Sequence, residues 1–170
     1  MDTGTVAKAL EAKDWIALGS ALVAVIFGSA SVIAAVLTRR IAMGQAETGL
    51  RASIRATRES VRSIAIKIAE VRAGKTNEKL TPAQEGKLDV LEDAFAEATE
   101  DNLNAYEDAC AKYLDKKIDR ERFKRMYYSE IENLGRVKEG NVIHKFMYPE
   151  QQSRFKAIWK VFHQWTNLEK

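Results

Sequence analysis

The chain has 170 residues, a formal net charge of +3 and one cysteine, Cys110. One cysteine excludes an intrachain disulfide, and with only two histidines, His144 and His163, we expect no metal site and no other cofactor. The charge is uneven, because residues 1–74 carry ten basic and six acidic side chains and residues 75–170 carry seventeen and eighteen. The excess positive charge therefore belongs to the first part of the chain.

Residues 15–38 form an uncharged stretch, WIALGSALVAVIFGSASVIAAVLT, bounded by Asp14 and by the pair Arg39-Arg40. As a helix this stretch would extend about 36 Å, and the hydrocarbon core of a bilayer is about 30 Å thick. The sequence therefore predicts a transmembrane helix over residues 15–38, after a short extracytoplasmic N-terminus over residues 1–14. A cleaved signal peptide is the alternative, although such peptides have a basic start and a shorter apolar run.

Six arginines follow the apolar stretch within a short distance. The positive-inside rule places this side in the cytoplasm, which predicts a single-pass protein of the bacterial inner membrane with a cytoplasmic C-terminal domain. We expect the arginines to contact anionic lipid headgroups, and nucleic-acid binding is the alternative. The six residues are Arg39, Arg40, Arg51, Arg55, Arg58 and Arg62.

Small side chains within the apolar stretch recur at helical spacing. A stripe of small residues lets membrane helices approach closely, so it predicts a homo-oligomer, and its hydroxyl groups suit the lining of an aqueous pore. Chance in an alanine-rich segment is the alternative. The stripe consists of Ala17, Ser20, Ala21, Ala24, Gly28, Ser31, Ala35 and Thr38.

Residues 39–73 continue the helix with a new apolar pattern at alternating steps of four and three. This pattern is typical of a coiled-coil seam, and branched residues at both core positions favour more than two copies. The alternative is that the stripe packs on the soluble domain of the same chain. The seam consists of Leu50, Ile54, Thr57, Val61, Ile64, Ile68 and Val71.

Residues 74–170 predict a cytosolic helical bundle, which makes the fold class all-α. Thr81 and Gln84 form a capping box for a long helix from Pro82 to about residue 115, and Asp119 caps a second helix. Residues 142–148 are apolar but ambiguous, and Pro149 is predicted to open a last helix. The core face of that helix is predicted to contain Phe155, Ile158, Trp159, Phe162 and Trp165.

Charge also separates along this domain. Residues 78–108 hold ten acidic and two basic side chains, and residues 112–125 hold seven basic and three acidic ones. An antiparallel hairpin that turns at residues 115–119 would place the two sets opposite each other, which would disfavour misregistered packing.

Four segments of the domain carry a resemblance to a known class of proteins. They are residues 102–119 (NLNAYEDACAKYLDKKID), 123–127 (FKRMY), 130–134 (EIENL) and 155–165 (FKAIWKVFHQW). The chain resembles small bacterial proteins with one N-terminal membrane helix and a helical cytosolic domain, among them membrane accessory effectors of type III and type VI CRISPR antiviral systems. The resemblance implies homo-oligomerisation and a pore whose soluble domain is a HEPN-like bundle.

The same resemblance suggests two further roles. HEPN ribonucleases pair an Arg with a His four to six residues later, whereas this chain offers Arg136 and His144 with seven residues between them. Sensing of a cyclic oligonucleotide, as in some type III accessory proteins, would need a basic pocket. The candidates for such a pocket are Lys116, Lys117, Arg120, Arg122, Lys124 and Arg125.

Three functional hypotheses follow. The first is a homo-oligomeric inner-membrane effector that forms pores or depolarises the membrane in CRISPR-linked antiphage defence, and that is not an enzyme. The second is a membrane-tethered binding module for a nucleotide signal, an RNA product or a partner such as a CRISPR effector. The third is a HEPN-like ribonuclease.

Overall fold

The structure, a computed structural model, describes the backbone of residues 12–73 and 80–167 and the side chains of residues 31–73 and 80–167. These residues form helices and no strand, which confirms the all-α class for the part of the chain described. In chain order the helices are α1 (Ala12–Ala73), α2 (Pro82–Leu114), α3 (Arg120–Gly135), α4 (Val142–Met147) and α5 (Lys156–Thr166).

The chain divides into two compact units, an N-terminal unit (Met1–Ala42) and a C-terminal unit (Met43–Lys170). In the N-terminal unit, every side chain from residue 31 to residue 42 is exposed. No helix in the described part of the chain is both long and apolar enough to cross a membrane. The side chains of residues 15–30, most of the predicted span, lie outside the described residues, as does the backbone of residues 1–11.

The core of the C-terminal unit forms where α5 packs on both α2 and α3. Trp165 of α5 is 1% exposed and its indole nitrogen donates to the Tyr113 hydroxyl at 2.9 Å. The Tyr113 ring also lies 5.5 Å from the ring of Phe123, which belongs to α3. One aromatic cluster therefore joins the three helices, and edge-to-face packing adds to the stabilisation from burial alone.

Local capping sets the starts of α2, α3 and α4. Thr81 and Gln84 form the predicted capping box, and the Asp119 carboxylate accepts from the Arg122 amide at 2.9 Å. Asn141 caps α4, which resolves the ambiguous stretch as a one-to-two-turn helix. These caps satisfy amides that would otherwise lack partners at the helix starts.

The prediction that Pro149 opens the last helix is wrong. The Pro149 carbonyl accepts from the Gln152 and Ser153 amides in a turn, and α5 begins only at Lys156. Of the predicted core face, Phe155, Ile158, Trp159 and Trp165 are buried, whereas Phe162 is half-buried and Val161 is buried in addition.

The predicted seam on α1 packs against other helices of the same chain. Leu50 is 5% and Ile54 is 2% exposed, and both belong to the same core as the α5 aromatics. The other seam residues are half-buried. Leu50 and Ile54 therefore pack within the chain, and the compact C-terminal unit begins at Met43, inside the stretch predicted as a juxtamembrane helix. A seam between copies that uses the half-buried residues stays a prediction. The half-buried seam residues are Thr57, Val61, Ile64, Ile68 and Val71.

Candidate functional site

Arg136 and His144, the Arg and His offered for comparison with the HEPN ribonucleases, have separate environments. The exposed Arg136 guanidinium pairs with Glu132 one helical turn earlier, at 3.1 Å. The His144 ring stacks on the Tyr148 ring at 4.6 Å. No hydrogen bond or ion pair in the described part of the chain joins Arg136 to His144, so the arrangement offers no shared acid–base geometry.

Cys110 lies in the core of the C-terminal unit. Its side chain is fully buried, and desolvation together with the nearby Glu107 carboxylate raises the pKa of its thiol. Because the thiolate is the reactive form, this cysteine is protected from nucleophilic or redox chemistry in the folded state.

Only the end of the small-residue stripe falls within the described side chains. Ser31, Ala35 and Thr38 are exposed there. The remaining members, Ala17, Ser20, Ala21, Ala24 and Gly28, lie outside the described side chains.

The six predicted contact arginines fall into two groups. Four are exposed and form no ion pair or hydrogen bond through their side chains with described residues. Arg51 pairs with Glu47 at 3.7 Å, and Arg58 is engaged by two other helices. The four free arginines are Arg39, Arg40, Arg55 and Arg62. They are the ones available to an anionic partner.

Arg58 connects α1 to α2 and α3. It donates one short hydrogen bond to the Tyr106 hydroxyl and lies 3.3 Å from the Glu130 carboxylate. This hydrogen bond raises the pKa of Arg58 further, against the effect of desolvation. Burial raises the pKa of Tyr106, although Arg58 opposes the change. The contacts of Arg58 with Tyr106 and Glu130 hold this turn of α1 against α2 and α3.

Glu47 attaches the α2–α3 loop to the first turns of α1 in the C-terminal unit. One carboxylate oxygen accepts from the Asp119 amide at 2.9 Å, and the other lies 3.1 Å from the Arg122 guanidinium. The Glu47 side chain is 12% exposed. Sequence reasoning missed this residue, since the only signal was one glutamate among the arginines that follow the apolar stretch.

The contacts of α1 also define the direction of the charge along the C-terminal unit. Glu47 meets Asp119, Thr57 meets Asn102 and Arg72 meets Glu92, so α1 and α2 run antiparallel. The segment with seven basic and three acidic side chains, residues 112–125, therefore lies where α1 enters the unit. We call it the basic end. The acidic first half of α2 lies at the opposite end.

The predicted charge pairing across the α2–α3 hairpin is not formed among the described residues. Acidic residues of α2 instead pair elsewhere, Glu92 with Arg72 and Glu100 with Arg154. Arg122, from the basic end, pairs with Glu47. The acidic and basic segments thus lie at different ends of the unit, and their charges do not pair α2 with α3.

The basic residues proposed for a ligand pocket do not converge on a cavity. Arg120 stacks on the Tyr113 ring at 4.6 Å, Lys124 lies 5.7 Å from the Tyr128 ring, and Lys117 pairs with Asp115 at 2.8 Å. The Lys116 and Arg125 side chains are exposed and have no ionic partner among the described residues. The result is an outward-facing basic surface.

Among the described residues, no group of three or more His, Cys, Asp or Glu side chains is placed to hold a metal ion. Comparison of the chain with protein-family models, with curated proteins and with solved structures gave no match.

Proposed function

We propose that the protein is a membrane-tethered helical module: α1 is anchored in a lipid bilayer through residues 15–38, and the C-terminal unit carries out recognition at the membrane surface. The observation that carries this proposal is the exposure of apolar side chains after residue 31. Val32 is 64%, Ile33 60% and Leu37 53% exposed, on more than one face of the helix. Exposed apolar surface of this kind marks a membrane or protein contact.

The flanking charge supports the same reading. Arg39 and Arg40 follow the apolar segment directly, are exposed and have no partner among the described residues. Cations at this position favour the cytoplasmic side. We infer that the C-terminal unit, a proposed HEPN-like bundle on the basis of the sequence resemblance, is cytoplasmic and that the membrane is the bacterial inner membrane.

The experiment is a topology measurement on the full chain in cells. A cysteine placed at Thr3 is expected to react with a membrane-impermeant maleimide from outside, whereas one at Glu139 is expected to react only after permeabilisation. Native Cys110 serves as the internal control, because burial keeps it unlabelled in both conditions. Extraction of the protein from membranes by alkaline carbonate would contradict the anchor.

A second candidate function, a homo-oligomeric pore or depolarising effector in CRISPR-linked antiphage defence, is favoured by the small-residue stripe. Ala35 and Thr38 present its last turns as exposed small side chains. Small residues allow close helix contact in lipid. This proposal assigns assembly to the membrane segment, since Leu50 and Ile54 already serve the intrachain core.

The mass of the detergent-solubilised protein tests the second candidate. Ala35→Leu is expected to reduce the assembly to smaller species and to lower dye leakage from liposomes, because a larger side chain separates the helices. Val36→Leu, at a large apolar position beside the stripe, is the matched control and is expected to leave both unchanged. A monomer in several mild detergents would contradict the candidate.

A further inference from the structure

We propose that the basic end of the C-terminal unit docks on an anionic lipid surface, with Lys116 and Lys117 of the α2–α3 loop at the headgroups. The proposal rests on the membrane anchor inferred above and adds a second, electrostatic contact with the same membrane. Three features carry it: the tethering of the loop to α1, the free charge of the loop, and the burial of the neighbouring tyrosine rings.

The tether attaches the loop to the turns of α1 that follow the apolar segment in the chain. Glu47 holds the loop through the Asp119 amide and Arg122, and Leu50 and Ile118 bury their side chains in the same core. Glu47 is seven steps along the chain from Arg40, which limits their distance to about 25 Å even for a fully extended chain. The basic end is therefore tethered at a point within that length of chain from Arg40.

The charge of the basic end is available to a partner. Lys116 is exposed and its ammonium has no partner among the described residues, and the Lys117 side chain is 66% exposed. The Lys117–Asp115 pair is a surface contact, which costs little to exchange for a lipid phosphate. The hydrogen bond and charge of Asp115 raise the pKa of Lys117, so the residue carries its charge at neutral pH.

The first part of α2, at the opposite end of the unit, has an excess of acidic side chains, two of which pair with Arg72 and Arg154. Residues 82–101 of α2 contain seven acidic side chains and one basic one. An anionic surface attracts the basic end and repels the acidic end, so both charges favour the same orientation. This preferred orientation comes from where the helices place the charges and not from the net charge of the chain.

A lipid surface fits the basic end better than a nucleic acid does. Binding of single-stranded RNA relies on aromatic rings on which bases stack. The nearby rings of Tyr113 and Tyr127 are only 4% and 8% exposed. Tyr128, beside Lys124, is half-buried and already stacks on Trp165 at 5.8 Å. The basic end therefore offers mainly charge, which is what a layer of headgroups requires.

The test uses the full chain in phosphatidylcholine vesicles with or without phosphatidylglycerol. A fluorophore on Glu121→Cys, in the first turn of α3, reports quenching by nitroxide groups on lipid headgroups, and buried Cys110 stays unlabelled. We expect quenching in the anionic vesicles. It should weaken as the Debye length falls from about 10 Å at 0.1 M salt to about 3 Å at 1 M.

The variant K116E/K117E should lower the ratio of docked to undocked C-terminal units by at least about tenfold. Each cation near the surface raises that ratio about fivefold. K138E/K145E makes the same change in net charge at exposed sites outside the basic end and should leave quenching intact. Equal quenching in both vesicle types, or equal loss in both variants, would overturn the docking.

Flotation of the vesicles separates this proposal from the anchor. If the chain floats only with anionic vesicles and salt releases it, the anchor fails and the basic end alone supplies the contact, which supports docking. If the chain does not float, both proposals are overturned. If single-stranded RNA binds the detergent-solubilised chain and K116E/K117E abolishes that binding, the basic end belongs to nucleic acid and the lipid proposal is overturned.

Discussion

At the scale of single residues, Gly135 marks the tightest packing around the end of α3. An added Cβ would lie no more than 2.6 Å from three ring atoms of Phe162, and the Gly135 carbonyl accepts from the Tyr148 hydroxyl at 2.6 Å. Neither α5 nor residue 148 can move freely, because Trp159 packs edge-on against the Tyr148 ring. A glycine is needed here for space and not for backbone conformation.

Gly135→Ala is therefore expected to lower the free energy of unfolding by about 1–3 kcal/mol through overpacking. Gly86→Ala is the matched control, since nothing lies within 4 Å of the added Cβ on the exposed face of α2. That control is expected to gain up to about 1 kcal/mol from helix propensity. Urea denaturation followed by tryptophan fluorescence measures both, and equal stability of the two variants would contradict the packing.

Two buried tyrosines should make stability depend on pH at the alkaline end. Burial raises the pKa of Tyr106 and of Tyr127, although nearby arginines oppose both changes. A raised pKa means that the folded state prefers the neutral phenol. The stabilisation is complete below the ordinary tyrosine pKa of about 10 and is lost as the pH rises towards the folded-state value.

The measurement is urea denaturation across a series of alkaline buffers. The free energy of unfolding is expected to fall above pH about 10, and Tyr106→Phe/Tyr127→Phe is expected to fall less steeply over the same range. An identical slope in the variant would assign the alkaline loss to other groups, such as lysines.

At the scale of elements, α1 carries both buried and exposed isoleucines, and substituting each one tests whether the helix packs within its own chain. Ile54 is 2% exposed in the core of its own chain, whereas Ile66, three turns further along, is 49% exposed. Ile54→Ala is expected to lower the free energy of unfolding by about 2–5 kcal/mol. Ile66→Ala is expected to stay within about 0.5 kcal/mol of the parent.

Denaturation and the mass of the intact protein should be measured on the same samples. Intrachain packing predicts a loss of stability at unchanged assembly mass for Ile54→Ala. A lower assembly mass with unchanged stability would instead restore a seam between copies.

What the sequence predicted at this scale depended on how local each signal was. Thr81, Gln84 and Asp119 act on their own helices, so the starts of α2 and α3 follow from a few neighbouring residues. The start of α5 does not. Phe155 provides no side-chain cap, and the Glu107 carboxylate, from the middle of α2, accepts from the Ala157 and Ile158 amides at 2.8 and 3.0 Å. A cap supplied across the core leaves no local signal, which is why the sequence points to Pro149 as the helix start.

The difference between local and tertiary signals also explains what the sequence could not predict about the seam and the basic end. A heptad pattern records that one face of α1 is covered, but not whether the cover is another copy or the same chain. The basic composition of residues 112–125 is readable from the sequence. Their position beside the first turns of α1 in the C-terminal unit depends on the Glu47 contact with Asp119 and Arg122. Composition therefore predicted the charges, and only tertiary contacts located them.

At the scale of the whole molecule, the division into two units falls inside α1 and not at its end. Among the side chains that the structure describes, the buried core residues lie between Leu50 and Trp165, so the C-terminal unit needs the second part of α1 to complete its core. Without that part, the α1 partners of Tyr106, Asn102, Glu92 and Glu130 would be lost. The unit that folds is therefore longer than the predicted cytosolic domain of residues 74–170.

A fragment of residues 43–170 is accordingly expected to fold alone, with the helical circular dichroism and the unfolding free energy of the same unit in the full chain. A fragment of residues 75–170 should be destabilised by at least about 4 kcal/mol, because it loses two buried aliphatic side chains at roughly 2–5 kcal/mol each. Urea denaturation of both fragments provides the measurement. If the shorter fragment were as stable as the longer one, α1 would be only a linker, and the proposed docking of the basic end would lose the tether on which it rests.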